Sequence, residues 1–185
     1  GLKGVHMQQI FAFPTGEGSQ MEKLTPFEKD GFANLHHFQK YSGYQDIQSK
    51  RPGTLGFGLV DSPAALLAWN AELFCGFLGE GVTQVDRDKY LTHVAIYWFT
   101  GTAGSAIRQY WENARAEQPK EPTTVPTALA MAEGDFTSIR RFAERDHANI
   151  VSWKTLPAPA HGHYTAHTAT EALTSDVTAF FEGLR

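Results

Sequence analysis

The chain has 185 residues, of which 42% are hydrophobic and 12% aromatic, which is enough for one sizeable core. Its net charge of −4 at pH 7 excludes the basic balance that is typical of proteins binding nucleic acids or anionic membranes. No apolar run approaches the ~20 residues of a membrane-spanning helix. The single cysteine, Cys75, excludes an internal disulfide framework, suits a reducing compartment and lies in an apolar helical pattern, so we interpret it as a buried hydrophobic side chain.

After a short strand predicted at residues 2–7, the first 120 residues are predicted to be mostly helical. One helix begins with Thr25 as N-cap, Pro26 in the first helical position and Glu28 closing a capping box. Residues 42–58 hold recurrent glycines and are predicted to be a turn-rich connector. Three further helices are predicted from apolar periodicity; they cover 63–77, with Leu66, Trp69, Leu73 and Phe77 on one face, then 86–99 and 105–117.

The pattern changes after the proline-rich segment 118–126. Two strands alternate with two helices there, and this order is typical of a parallel sheet. The predicted elements are a strand at 125–135, a helix at 137–146, a strand at 148–157 and a helix at 170–184.

Titratable side chains follow both of these strands, at the strand ends where parallel-sheet proteins carry their chemistry. Glu133 and Asp135 follow the first strand, and His161, His163 and His167 follow the second. A carboxylate and a histidine from neighbouring strand ends can form a dyad, in which the carboxylate fixes the imidazole tautomer and the imidazole activates water. On residue types alone, a helix-capping aspartate beside solvated histidines is the favoured alternative.

Other kinds of site are poorly supported by the sequence. The three histidines follow a strand and two prolines, and neither cysteine nor suitably spaced carboxylates complete a ligand set, so no metal is predicted. No G-x-S-x-G elbow and no phosphate loop occur, and no cofactor is expected. The tyrosines of the helical half could donate a proton or a hydrogen bond, although packing is their commoner role.

Six stretches, which together span nearly the whole chain, occur in an order that resembles the microsomal-type branch of the α/β-hydrolase-fold epoxide hydrolases. The resemblance implies the C-terminal part of an α/β-hydrolase fold: a core strand at 1–12, a mostly helical lid at 13–122 and the rest of the hydrolase core at 123–185. The stretches are GLKGVHM, SGYQDIQSKRPGTLGFGLVDSPAALLAW, LTHVAIYWFTGTAGSAIRQYWEN, VPTALAMAEGD, AERDHANIVSW and HGHYTAHTATEALTSDVTAFF.

The resemblance implies an activity and the residues that carry it. In that family a carboxylate nucleophile opens an epoxide to an ester, two lid tyrosines donate to the epoxide oxygen, and a histidine oriented by an acid activates the water that releases a vicinal diol. The lid tyrosines match Tyr44 and Tyr110, the acid matches Asp135, and the water-activating histidine matches His163. The resemblance gives His161 and His167 no role.

The sequence departs from the family pattern around this histidine. His161 stands where the family has glycine, Tyr164 where it has phenylalanine and Thr165 where it has alanine. Thr168 stands where an acidic residue is usual. Glu133 stands where a proline is common and is an alternative to Asp135 as the acid.

The family's nucleophile elbow and oxyanion-hole loop precede the part that this chain matches. We therefore expect an N-terminal hydrolase chain to be a partner that supplies the nucleophile, with a homodimer of the completed enzyme as a further option. Phe38, Trp69 and Trp98 are expected to line the substrate site, and they indicate a hydrophobic epoxide. The expected location is cytoplasmic, although a membrane anchor on a preceding segment stays open.

Two other functions compete with this one. A binding protein derived from the same fold would hold an apolar ligand without turning it over, and the departures around His163 favour it somewhat. A haloalkane dehalogenase would bind halide, commonly through tryptophan, and the paired tyrosines argue against that assignment.

Overall fold

The computed structural model describes residues 1–16, 18–74, 85–117, 119–157, 160 and 162–185, with the backbone alone at 19, 34 and 37. The chain divides into two compact units, one comprising Gly1–His36 and Pro119–Arg185 and the other His37–Gln118. The described elements, in chain order, are β1 (Val5–Met7), α1 (Gly18–Glu22), α2 (Pro26–Tyr41), α3 (Gly43–Lys50), α4 (Pro52–Asp61), α5 (Pro63–Phe74), α6 (Arg87–Thr100), α7 (Ala103–Asn113), β2 (Thr127–Met131), α8 (Arg140–Asp146), β3 (Ile150–Thr155), α9 (Thr165–Thr168) and α10 (Thr170–Glu182).

The first unit is built on a parallel three-stranded sheet of order β1-β2-β3. All five residues of β2 are buried, as expected for a central parallel strand covered on both faces. Leu129 and Met131 pack into one hydrophobic cluster, and Ala130 packs into another that includes Leu173 of α10. The predicted α/β architecture with a parallel sheet is therefore confirmed.

The N-terminus of α2 carries the predicted capping box. The Glu28 carboxylate accepts from the Thr25 backbone N–H at 2.7 Å, and the Thr25 hydroxyl accepts from the Glu28 N–H at 3.3 Å. Arg141 of α8 donates to the same carboxylate at 2.7 Å, which ties α2 to α8. Burial alone would raise the pKa of Glu28, but the bonds from Thr25 and Arg141 outweigh it and leave that pKa lowered.

The prediction of a turn-rich connector at residues 42–58 was wrong, because this segment forms α3 and most of α4. One of its glycines, Gly56, serves close helix packing. An added Cβ on Gly56 of α4 would lie 3.5 Å from Ile107 Cδ1 and 3.7 Å from the Gly104 Cα, both on α7. The small residues let these two helix backbones approach each other, so glycine here marks an interface within the helical unit.

Two helical glycines should respond to alanine with opposite signs. A Cβ on Gly31 of α2 would lie 2.6 Å from the Thr137 Cβ, whereas a Cβ on Gly58 of α4 would meet no atom within 4 Å. We expect Gly31→Ala to destabilise the protein by about 1–3 kcal/mol through overpacking. Gly58→Ala should stabilise it by about 0.5–1 kcal/mol, because alanine is the better helix former.

The free energies of unfolding of the two variants and the wild type, measured in urea, test this contrast. A Gly31→Ala protein at least as stable as the wild type would contradict the close contact with Thr137. A loss of stability in Gly58→Ala would contradict the open surroundings of that position.

Two predictions fall outside the described residues: the burial of Cys75 and the place of Phe77 on its helix. None of the described helices is both long enough and apolar enough to cross a membrane. The interpretation of the helical unit as a lid stays a prediction.

Candidate functional site

The loops that follow β2 and β3 bring an aspartate and a histidine together. Asp135 lies four residues beyond Met131, the last residue of β2, and His163 precedes the short helix α9. His163 Nδ1 lies 3.2 Å from Asp135 Oδ1. The Asp135 side chain is 11% exposed and the His163 side chain 60% exposed. A shielded carboxylate thus faces one nitrogen of a ring that is open to solvent.

Backbone contacts fix the position of the histidine. The Gly162 N–H donates to the Glu133 carbonyl at 2.8 Å, which joins the two strand-end loops. Gly162 has a φ of 76°, a left-handed conformation that favours glycine. The buried Thr165 hydroxyl donates to the Gly162 carbonyl at 3.0 Å. The departure from the family pattern at Thr165 therefore adds a hydrogen bond that holds the turn before His163.

The alternative acid, Glu133, holds this loop through its backbone, and its side chain is exposed. Asp135 supplies the carboxylate that contacts the imidazole. Asp135 does not cap the following helix, because α8 begins at Arg140 after Ile139. Of the two neighbouring histidines, His167 lies in α9, and His161 lies outside the described residues.

Gln9 is a third member of this cluster and was missed in the sequence. Its Nε2 donates to Asp135 Oδ2 at 2.7 Å and lies 3.2 Å from His163 Nδ1. Gln9 follows β1 by two residues, so it comes from the third strand end at the same edge of the sheet. The strand-end argument applied to β1 points to the residues after Met7 but does not single out Gln9.

The pKa of His163 is raised above its usual value, chiefly because the hydrogen bond to Asp135 favours the protonated ring. Partial burial opposes the shift, and the negative charge of Asp135 adds to it. An imidazole with one nitrogen held by a carboxylate and the other available to solvent can accept a proton from water.

In the helical unit, the two tyrosines singled out in the sequence are neighbours. Tyr44 lies near the start of α3 and Tyr110 near the end of α7, and their ring centroids are 6.0 Å apart with the planes 80° to each other. Phe38 stands edge-on to Tyr44 at 6.5 Å. Tyr110 is 38% exposed. Residues 66 positions apart are thus brought into one aromatic group.

The two tryptophans expected at the substrate site are partly buried in the helical unit. Trp69 and Trp98 pack against a cluster that includes Leu66 and Val94. The Trp69 indole N–H also donates to the buried Gln48 at 3.3 Å. Their role in substrate binding stays a prediction, as does that of Phe38.

A separate, largely buried network links two strands of the first unit to α10. His6 Nε2 of β1 lies 2.8 Å from Asp176 Oδ2 of α10, and both side chains are nearly inaccessible. Lys154 of β3 bonds the other oxygen of Asp176. Burial would raise the pKa of Asp176, but the bonds from Lys154 and His6 leave it lowered. This network has the character of a structural tie between helix and sheet.

Across the part of the chain that the structure describes, no three His, Cys, Asp or Glu side chains converge on one point that could hold a metal ion. The absence of a metal site stays an expectation for the whole chain, since His161 is outside that part.

Comparisons with known proteins connect this chain to one family. No protein-family model matches the sequence. The whole chain is similar to a protein of Stigmatella aurantiaca named "Putative epoxide hydrolase", at 30% identity over 190 residues and 42% of that protein's length. It is 27% identical to epoxide hydrolase 1 of Sus scrofa over 175 residues, covering 86% of this chain and 37% of that protein.

The solved structures agree with the sequences. The structure of the Aspergillus niger epoxide hydrolase matches 99% of this chain and 46% of its own chain, with a TM-score of 0.77 and 27% identity. The chain thus spans less than half the length of each of these proteins. By sequence and by fold, the chain is therefore related to the α/β-hydrolase-fold epoxide hydrolases, and it corresponds to a part of such a protein.

Proposed function

We propose that this chain contributes the water-activating half of an epoxide hydrolase, which converts a hydrophobic epoxide into a vicinal diol. The observation that carries the proposal is the contact between Asp135 Oδ1 and His163 Nδ1 at the ends of two parallel strands. The resemblance to epoxide hydrolases supplies the reaction, and the share of length that the chain covers leaves room for the nucleophile elsewhere.

In the first step a carboxylate oxygen, supplied outside this chain, bonds to one epoxide carbon. The carbon–oxygen bond of the ring breaks, and its electron pair stays on oxygen. Tyr44 and Tyr110 are the proposed donors to that oxygen, and one of them gives it a proton. The product of this step is a hydroxyalkyl ester of the enzyme.

In the second step His163 Nε2 takes a proton from water, and the oxygen of that water bonds to the ester carbonyl carbon. Collapse of the tetrahedral species releases the diol and restores the carboxylate, and the proton held by the imidazolium returns through solvent to the phenolate that the first step left. Asp135 stabilises the imidazolium that forms, because it accepts from Nδ1–H. The net change is the addition of one water to one epoxide.

A substitution of Asp135 by asparagine tests this assignment through its pH dependence. His163 works as a base only when neutral, so the rate rises as pH increases through its raised pKa. In Asp135→Asn that pKa falls toward the usual ~6.5, and the acidic limb of kcat, which reports hydrolysis of the ester, moves to lower pH. The plateau value of kcat should fall about 10²–10⁴-fold, because asparagine does not select the Nδ1–H tautomer.

Glu133→Gln is the matched control, since it makes the same carboxylate-to-amide change in the same loop. It should leave both the acidic limb and the plateau of the pH–rate profile near the wild-type values. A shift in Glu133→Gln together with an unchanged Asp135→Asn profile would assign the acid to Glu133. Tight binding of apolar epoxides by the complete protein, with no diol formed, would favour the ligand-binding alternative.

A further inference from the structure

Gln9 lies at a strand end of the sheet, and the proposed reaction assigns it no role. It follows β1, and β1 pairs in parallel with β2, so the ends of these strands lie at one edge of the sheet. Asp135 and His163 come from the two adjacent strand ends. Three consecutive strands therefore each contribute one polar side chain to the cluster.

The hydrogen bonds leave one consistent arrangement of the Asp135 carboxylate. Its Oδ2 lies 2.7 Å from the Gln9 amide, and because a carboxylate only accepts, the amide must present N–H there. With Oδ2 engaged in this way, Oδ1 is the oxygen that faces His163 Nδ1. The hydrogen bond from Gln9 thus sets the orientation of the Asp135 carboxylate plane.

Two groups lie 3.2 Å from His163 Nδ1, namely Asp135 Oδ1 and Gln9 Nε2. A protonated Nδ1 can donate only to the carboxylate, whereas an unprotonated Nδ1 can accept from the amide. The bond to the carboxylate is assisted by charge and is the stronger one. It favours Nδ1–H and leaves the Nε2 lone pair free, which is the tautomer that a water-activating base requires.

We propose that Gln9 is a positioning residue, which fixes the Asp135 carboxylate so that its second oxygen holds His163 in the Nδ1–H tautomer. The inference rests on the proposed function and deepens it, because it adds a third residue that acts through Asp135 rather than on substrate. In the described part of the chain, the ring is faced by the Asp135 carboxylate, the Gln9 amide and the Tyr164 ring, whose centroid is 5.2 Å away.

The test is an NMR titration of His163 with ¹⁵N-labelled histidine in the full chain, together with any partner that co-purifies with it. In Gln9→Leu, which keeps bulk but removes the donor, the carboxylate is released. The pKa of His163 should then fall by about 0.5–1 unit, and the Nδ1–H tautomer should lose population. In Gln9→Glu, an added negative charge beside the ring should move the pKa upward instead.

Gln20→Leu is the matched control, since it makes the same change at a glutamine whose amide bonds Thr15. The pKa of His163 in Gln20→Leu should equal that in the wild type. A packing role for Gln9 would not give shifts of opposite sign in Gln9→Leu and Gln9→Glu. Unchanged His163 titration in both variants, or an upward shift in Gln9→Leu, would overturn the proposal.

The titration reads the imidazole without substrate, so its outcome is independent of the proposed function. Opposite shifts in a protein that forms no diol would uphold the positioning role and reject the reaction. Diol formation together with an unchanged pKa of His163 in the Gln9 variants would uphold the reaction and reject the positioning role. If the pH–rate profile of Gln9→Leu shifts together with the titrated pKa of His163, the positioning role of Gln9 and the proposed reaction are both supported.

Discussion

Replacing His163 by glutamine is expected to lower the rate of diol formation by about 10²–10⁴-fold in the active protein that contains this chain. Glutamine keeps a polar side chain of similar reach but cannot take a proton from water. Ring opening does not use this imidazole, so the loss should fall on the second step. Under steady state, kcat should therefore fall strongly while substrate still binds.

His167→Gln is the control for this change, because His167 lies four residues away in α9. The family resemblance gives it no role, and its variant should keep the wild-type rate within about twofold, which corresponds to less than 0.5 kcal/mol of barrier. Full activity in His163→Gln, or an equal loss in both variants, would contradict the assignment of His163 as the base.

The second large effect is expected from removing both phenolic hydroxyls of the aromatic group in the helical unit. Tyr44→Phe/Tyr110→Phe keeps the edge-to-face rings, which lie 6.0 Å apart, but removes the proposed donors to the epoxide oxygen. Loss of one donor to a developing oxyanion typically costs about 10²–10³-fold. The double variant should therefore lose at least that much activity, and each single variant should lose less than the double variant.

Tyr97→Phe serves as the comparison, because Tyr97 packs against the hydrophobic cluster of the same unit. Its variant should keep activity, and its unfolding should resemble that of the double variant. If the double variant forms diol at the wild-type rate, Tyr44 and Tyr110 are packing residues, and ring opening needs another donor.

Local signals in the sequence predicted much of the fold. The capping box at Thr25 and Glu28 formed as expected, because its bonds join residues three apart and need no tertiary context. The apolar run at residues 127–131 became the central strand. The alternation of strand and helix after residue 125 predicted the parallel sheet, since a parallel pair needs a crossover.

The glycines misled the interpretation of residues 42–58. Turns and close helix contacts both favour glycine, and the difference depends on which surface meets the segment. Gly56 lies against Gly104, which is 48 positions away, and this distance in sequence hides the contact from any local pattern. Tertiary packing thus outweighed the local preference for turns.

The candidate site could be anticipated in part. Strand-end reasoning brought two acidic residues and three histidines to one edge of the sheet, whereas residue types alone favoured a capping aspartate. The family resemblance selected Asp135 and His163 from these. Gln9 was missed because an uncharged amide after a three-residue strand carries no chemical signature by itself. Its importance appears only when the distances to Asp135 and His163 are known.

The most direct test of the account is the intact mass of the His163→Gln protein after it is mixed with an excess of a hydrophobic epoxide, with the wild type as the reference. The protein should be isolated with every chain that accompanies this one. The account predicts a long-lived covalent adduct, heavier by the mass of one epoxide, in the variant, and only a transient one in the wild type. Diol release by the variant at the wild-type rate, with no adduct, would contradict the role of His163 in hydrolysing the ester.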